Sequence, residues 1–347
     1  MNVLITGANG MLAHNIIKLL LQKGIKVRAT IRDKRKSCLQ QHPKLELIEG
    51  DITDNAFIEK AVIGCTHIIH AAALTFQNKR NINLYRRVNV ESTENLVKAA
   101  IKYGTTKFAF ISSANTLGYG SNQNPGTETR EMKHPFTASE YAISKKEAEE
   151  SILKYKEQIE IIIVNPTFII GGDNIDSGSG QIMKMGLNRK IIFYPPGGKN
   201  FAHVKDVAYG TWKAMQDGKN GERYLLANVN LSYKDFFRKL LKQNNKKALL
   251  VPLPKFIMLF FGIAGDIYSM LGGTTQISLT NCKALCVKNF YSNCKAQKHL
   301  GIAFSPLALG ISKNEFQQNP KITLSKNETH NCAEIASQFA MTNEEKS

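Results

Sequence analysis

The sequence predicts an α/β protein, a doubly wound parallel sheet with a smaller C-terminal α/β substrate domain. Two observations at the N-terminus and one on length point there. A short apolar run, Asn2 to Thr6 (NVLIT), breaks into a glycine turn and then into a stretch with helical apolar spacing. Further apolar strands alternate with amphipathic stretches through the first half of the chain, and alternating units of this length build a parallel sheet covered by helices. At 347 residues the chain can bury a sizeable core in two lobes.

The first element, Asn2 to Thr6, is an uninterrupted apolar run of the kind buried in a parallel sheet. Gly7-Ala8-Asn9-Gly10-Met11-Leu12-Ala13 follows, and then Ile16, Ile17, Leu19, Leu20 and Leu21 up to Gly24. Gly7 permits a tight turn. Gly10 lets the backbone approach a pyrophosphate at a helix N-terminus, where free N–H groups and the helix dipole favour an anion. Ala13 takes the third small position, which needs only smallness. Thr6, Gly7, Asn9, Gly10, Met11 and Leu12 are therefore candidate cofactor contacts.

The second strand, Ile25 to Ile31, ends where an acidic residue would hold a free ribose 2′-hydroxyl. Arg32 follows it, then Asp33 and Lys34-Arg35-Lys36. A cation suits a 2′-phosphate, so the reading favours NADP (NADPH); NAD stays possible, with Asp33 on the ribose. Strand-like Leu45 to Glu49 precedes Gly50-Asp51-Ile52. Another strand, Ile68-Ile69, runs into His70-Ala71-Ala72-Ala73, whose small side chains let the backbone pass beside a flat cofactor. His70 reads as a packing residue at a strand end. A helix holding Asn89-Val90 and Leu96-Val97 then leads to strand Phe108 to Ile111, which ends at Ser112-Ser113.

Tyr141 and Lys145 stand at i and i+4 of a helix and so share a face. A lysine ammonium beside a phenol lowers its pKa and makes it a proton donor and acceptor near neutrality. Ser113, at the carboxyl end of a strand, lies where a crevice ligand binds; Thr116 is a competitor for its role.

Together these residues resemble the extended short-chain dehydrogenase/reductase family, of NAD-dependent epimerase/dehydratase type. The carriers are Thr6 to Ala13, Gly50-Asp51-Ile52, His70-Ala71-Ala72, Val88-Asn89-Val90, Ser112-Ser113, Tyr141 to Lys145 and Asn165-Pro166-Thr167. Asn200 to Val207, Gly221 to Tyr224, Lys295-Ala296 and Leu300-Gly301 extend the likeness over residues 1 to 312. Within the family, VRATIRD (27 to 33), NPTFIIG (165 to 171) and GERYLLAN (221 to 228) are most similar to the dihydroflavonol 4-reductase and 3β-hydroxysteroid dehydrogenase branch. The resemblance implies a Rossmann-type sheet and a catalytic triad of Ser113, Tyr141 and Lys145. Tyr141 would be the general acid/base, and Lys145 would also hold the nicotinamide ribose. It adds Arg32, Asp51, Ile52, Ala71, Ala72, Ala73, Asn89, Ser112, Pro166 and Thr167 to the cofactor set. The expected reaction interconverts a carbonyl and a secondary alcohol. A nucleotide-sugar epimerase on the same triad is the alternative, and a non-catalytic cofactor-binding regulator the third reading. Ala114-Asn115 stand where sugar 4,6-dehydratases carry an acidic pair, which argues against that chemistry.

The nucleotide-binding domain is expected over 1–165 plus about 199–216, the substrate domain over 166–198 and 217–312, and a C-terminal extension over 313–347. Residues 171 to 180, rich in Gly, Ser and Asp, read as a loop over the pocket. Residues 236–270 combine Phe236, Phe237, Leu240 and Leu241 with a nearly apolar run from Leu249 to Gly265. Core packing is favoured there over an apolar substrate wall or an amphipathic membrane contact.

Lys and Arg total 46 against 28 Asp and Glu, a formal charge of +18. The cations are scattered, and no helix-turn-helix, zinc-finger or aromatic RNA-binding signature accompanies them, so nucleic acid is not expected. Six cysteines without paired metal spacing predict neither a disulfide framework nor a metal site. No signal peptide or spanning run is visible, so a cytoplasmic enzyme on a small-molecule substrate is expected. The resembled family makes a homodimer a further expectation.

Overall fold

The computed structural model describes residues 1–75, 81–171, 180–307 and 309. The expected pocket loop (172–179) and the extension 313–347 lie outside the described residues.

The larger sheet has seven strands, all parallel: β1 (Asn2–Thr6), β2 (Lys26–Ile31), β3 (Leu45–Glu49), β4 (His67–His70), β5 (Lys107–Ile111), β6 (Glu160–Pro166) and a later strand, Arg223–Leu226. Helices α1 (Met11–Gln22), α2 (Asn55–Val62), α3 (Ile82–Tyr85), α4 (Ser92–Lys102) and α5 (Glu140–Leu153) connect them, and a π-helical turn, Arg86–Glu91, joins α3 to α4. Strand order from one edge is β3-β2-β1-β4-β5-β6 and then Arg223–Leu226, so the winding reverses between β1 and β4.

Alternation along each strand feeds two cores. In β1, Val3 and Ile5 join Ile16, Ile17 and Leu20 of α1 on one face. Leu4, between them, joins Ile58 of α2, Leu96 and Val97 of α4 and Ile152 of α5 on the other. A strand buried on both faces must be apolar throughout, which is why NVLIT shows no polar alternation.

The smaller lobe is built on β7 (Phe168–Ile170), α6 (Gly180–Leu187), β8 (Ile191–Tyr194) and β9 (Gly198–His203). α7 (Val204–Asp217) and β10 (Arg223–Leu226) then rejoin the large sheet. β11 (Val229–Ser232), α8 (Tyr233–Gln243), β12 (Leu249–Pro252), α9 (Lys255–Met270), α10 (Leu279–Leu285), β13 (Lys288–Asn289) and α11 (Cys294–Leu300) complete the described chain. β9 pairs with β7, β11 and β13, and β8 pairs with β12. Phe201 of β9 stacks on Phe236 of α8 at 4.4 Å, in a core with Phe237, Leu240 and Leu241. Core packing, as favoured from the sequence for residues 236–270, accounts for α8 but not for α9, whose Phe256, Phe260, Ile263 and Ile267 stay exposed because α10 and the segment before it cover only the opposite face.

The lobes divide the chain differently from the expected boundaries. Residues 198–203 belong to the small sheet, and it is α7 that returns to pack against α1. β10, expected in the substrate domain, is the seventh strand of the large sheet. α11 covers β10 and α7, and its Ala296 and Leu300, with Ile302, sit in the large core. A four-residue edge strand, Arg223–Leu226, gives too short a periodic signal to be assigned from sequence.

Candidate active site

The carboxyl ends of the parallel strands carry the candidate residues. Thr6 to Met11 follow β1, Arg32 follows β2, Asp51-Ile52 follow β3, Ala71 to Ala73 follow β4, Ser112-Ser113 follow β5, and Pro166-Thr167 close β6. A crevice at the strand ends where the winding reverses is the general ligand site of this topology.

Gly7 has φ +76, and a Cβ there would lie 2.9 Å from Ala72 Cα, so only glycine lets this turn press against the β4 exit. Gly10 caps α1 without any side-chain hydrogen bond, which leaves the first helical N–H groups for an anion. These two observations fit a dinucleotide pyrophosphate.

A chain of hydrogen bonds fixes that turn. Thr6 Oγ1 accepts from Ala71 N at 3.1 Å and Ala72 N at 3.0 Å. Thr93 Oγ1 donates to Asn89 O at 2.7 Å, so it accepts from His70 Nε2 at 2.9 Å. His70 Nδ1 is then the acceptor for the Thr6 hydroxyl at 2.7 Å. The ring is neutral, because full burial, aided by the Lys145 charge, pushes its pKa down to about 3. His70 is thus a structural link, as read from sequence.

Beyond β2, Arg35 grips Asp33 with two hydrogen bonds of 2.9 Å, and that contact holds the Asp33 carboxyl below its usual range. Arg32 stands exposed beside them. Asp51 turns back on Thr53, accepting from its N and Oγ1 at 2.8 and 2.9 Å, and Ile52 is a core residue. Asn89 is wholly engaged: its Oδ1 accepts from Leu74 N at 2.7 Å, and its Nδ2 donates to Leu74 O and Ser144 Oγ at 3.1 and 3.0 Å. Thr167 donates to Asn200 Oδ1 at 2.7 Å. Asn89 and Thr167 therefore shape the site's walls.

Ser113, Tyr141 and Lys145 come together. Tyr141 is half-buried at the start of α5, and the neighbouring Ser113 side chain favours its ionised form. Lys145, one turn further, is buried and donates from Nζ to Ile111 O at 2.6 Å, 3.9 Å from the Phe110 ring centroid. Burial pushes its pKa down to about 7, and Glu149 pulls it back up.

One sequence expectation is corrected. Lys145 was expected to lower the Tyr141 pKa, yet the phenol lies above its ordinary value. Burial outweighs the influence of the Ser113 side chain, and the Lys145 Nζ hydrogen-bonds Ile111 O rather than the phenol.

Glu149, another turn along α5, was not singled out from sequence. It is fully buried, one turn beyond Lys145. Its Oε1 accepts from Ser112 Oγ at 2.5 Å, Thr116 Oγ1 at 2.8 Å and Asn165 Nδ2 at 2.8 Å, and its Oε2 from Arg223 Nε at 2.8 Å. Ser112 and Thr116 thus serve the carboxylate, which leaves Ser113 as the hydroxyl facing Tyr141. His203 caps α7 through Lys205 N, and Asp206 holds Ser305.

Comparison with known proteins agrees with this fold. The model of the "NAD dependent epimerase/dehydratase family" matches residues 3–227. A putative dihydroflavonol 4-reductase of Synechocystis is 28% identical over 325 residues, covering 91% of this chain and 94% of that protein. The decarboxylating sterol-4-alpha-carboxylate 3-dehydrogenase of Dictyostelium discoideum is 26% identical over 269 residues, 73% of this chain and 80% of its own. The crystal structure of gox2253 superposes with a TM-score of 0.77 at 28% identity, over 92% of this chain and 99% of that one.

Proposed function

The chain belongs to the NAD dependent epimerase/dehydratase family, within the extended short-chain dehydrogenase/reductases, and on that premise we propose that it interconverts a carbonyl and a secondary alcohol on an apolar, ring-bearing substrate, with NADPH preferred. The observation that carries the reaction type is Tyr141 lying close enough to Ser113 for its side chain to favour the phenolate, with Lys145 buried one turn beyond.

Tyr141 exchanges a proton with the reacting oxygen, and Ser113 orients that oxygen through its hydroxyl. A bound nicotinamide supplies the hydride chemistry. Thr6 to Leu12 and Ala71 to Ala73 would hold the dinucleotide, and Arg32 the 2′-phosphate. The bidentate Arg35–Asp33 pair supports NADPH, because it takes up the one carboxylate at the β2 end that could serve a ribose diol. Ala114-Asn115 after Ser113 offer no acid for dehydration. The substrate class follows the names of the dihydroflavonol and sterol relatives.

The test is a product-analysed screen of the full chain with NADPH and NADH on cyclic ketones, sterols and nucleotide sugars. Stoichiometric NADPH loss with formation of an alcohol supports the reading. An isomeric product without net cofactor consumption assigns epimerisation and overturns it.

A further inference from the structure

α9 carries two stripes. Met258, Gly262 and Gly265 face inward, where a Cβ on Gly262 would meet Leu279 Cα at 2.8 Å and one on Gly265 would meet Ile277 O at 2.2 Å. Small residues let α9 seat tightly against α10 and the segment that leads into it. The outer stripe is Phe256, Phe260, Ile263, Ile267 and Met270, ending at Leu271, at alternating steps of four and three residues. These side chains are out in solvent: Phe256 is 72% exposed, Phe260 68% and Leu271 81%. Leu249 and Ile191, paired on the strands from which the chain enters α9, are exposed as well. A continuous apolar helix face of this size marks a contact surface.

The surroundings say what it contacts. Between residues 234 and 288 the chain carries nine Lys and Arg against two Asp. Lys255 opens α9, Lys246 and Lys247 precede β12, and Lys190 precedes β8, all of them exposed. A second copy meeting this face about a two-fold axis would bring like charges together. An anionic bilayer complements both the apolar stripe and its basic flanks. No helix among the described residues is long and apolar enough to cross a membrane, so α9 would lie along the surface. α10 bridges α9 and the 136–138 turn that leads into the Tyr141 helix, which places the stripe beside the approach to the site.

We propose that the outer face of α9 inserts into the interface of an anionic lipid bilayer and that the enzyme takes its apolar substrate from there. The docking stands on the helix face alone, whereas the substrate route rests on the reductase reading.

The test is flotation of the full chain with vesicles of phosphatidylcholine alone and with vesicles half phosphatidylglycerol. The intact protein is expected to float with the anionic vesicles, at least tenfold more than with neutral ones, and to be released by high salt. Phe256→Gln with Phe260→Gln should lose roughly tenfold or more of that binding, with NADPH affinity and melting temperature unchanged. Absence of flotation by the intact chain, or equal flotation by the variant, overturns the proposal. A dimer in light scattering that the same variant splits assigns the face to a second copy and overturns it too. For the substrate route, vesicle-borne ketone should be reduced faster by the intact chain than by the variant, with equal rates on a soluble ketone. Flotation without any ketone reduction leaves docking standing and rejects the reductase reading.

Discussion

Glu149 Oε1 accepts a hydrogen bond from Ser112 Oγ at 2.5 Å while its Oε2 pairs with Arg223 at 2.8 Å, so one buried carboxylate ties the end of β5, α5 and β10 together. Lys145 lies one turn from it on the same helix, and its charge is sustained from that side.

Glu149→Gln keeps the shape but removes the charge. Arg223 loses its partner and should cost the fold about 2–4 kcal/mol, which urea unfolding would measure. Lys145 also loses the group that raises its pKa. The limb of the pH–rate profile on which activity falls as Lys145 deprotonates should therefore move to lower pH. An unmoved limb would show Glu149 to be a structural tie only.

Tyr141→Phe keeps the ring and deletes the exchangeable proton. Turnover should fall by about 10²–10⁴-fold, with cofactor affinity retained. Near-full activity on an identified substrate would rule out Tyr141 as the acid/base.

Lys145→Met should lose both turnover and cofactor affinity, and should nevertheless raise stability. The folded pKa of about 7 lies below the ordinary lysine value of 10.5. Between those limits the unfolded chain binds the extra proton, so stability rises with pH through that window and is lowest below it. Replacing the buried cation with an apolar side chain should add roughly 1–3 kcal/mol at neutral pH. A lower melting temperature would contradict the account of Lys145 given above.

Arg32→Asp exchanges a cation for an anion at the β2 exit. NADPH should bind at least about tenfold more weakly, equal to about 1.4 kcal/mol, with NADH little changed or improved. Equal losses for the two cofactors, measured as dissociation constants, would reject the NADPH assignment.

His70 sets an acid limit on stability. Its folded pKa of about 3 lies below the ordinary 6.5, so the buried ring stays neutral while the unfolded chain gains a proton. Stability is full above the ordinary value and falls as pH drops, by up to about 1.4 kcal/mol per pH unit from this group. In His70→Asn the slope from about pH 6 to about pH 4 should be shallower by that amount, as read from denaturant midpoints.

The glycine turn and the Tyr141/Lys145 helix were legible because each is local: a φ of +76 demands glycine, and a four-residue spacing sets a face. Glu149 was not legible, since Lys146-Glu147-Ala148-Glu149-Glu150 reads as a solvated charged face. Partners 16 to 74 residues away, Asn165, Thr116, Ser112 and Arg223, are what bury one of those carboxylates. Asn89 carries a motif position, but its commitment to Leu74 and Ser144 depends on how α3, the π-turn and α5 meet. In α9 the sequence favours core packing over an amphipathic contact, because an apolar run gives no sign of which side finds a neighbour.

The path of the chain between lobes carries a consequence for folding. It leaves the large sheet after β6, comes back as α7 and β10, departs again into β11, and returns a last time as α11. A fragment ending near residue 165 would lack one edge strand, the partner of α1 and a large part of one hydrophobic layer. Neither lobe is then an autonomous folding unit, and denaturation should proceed in a single cooperative step. Substitutions in the small lobe are therefore felt by the large lobe as a change in shared stability.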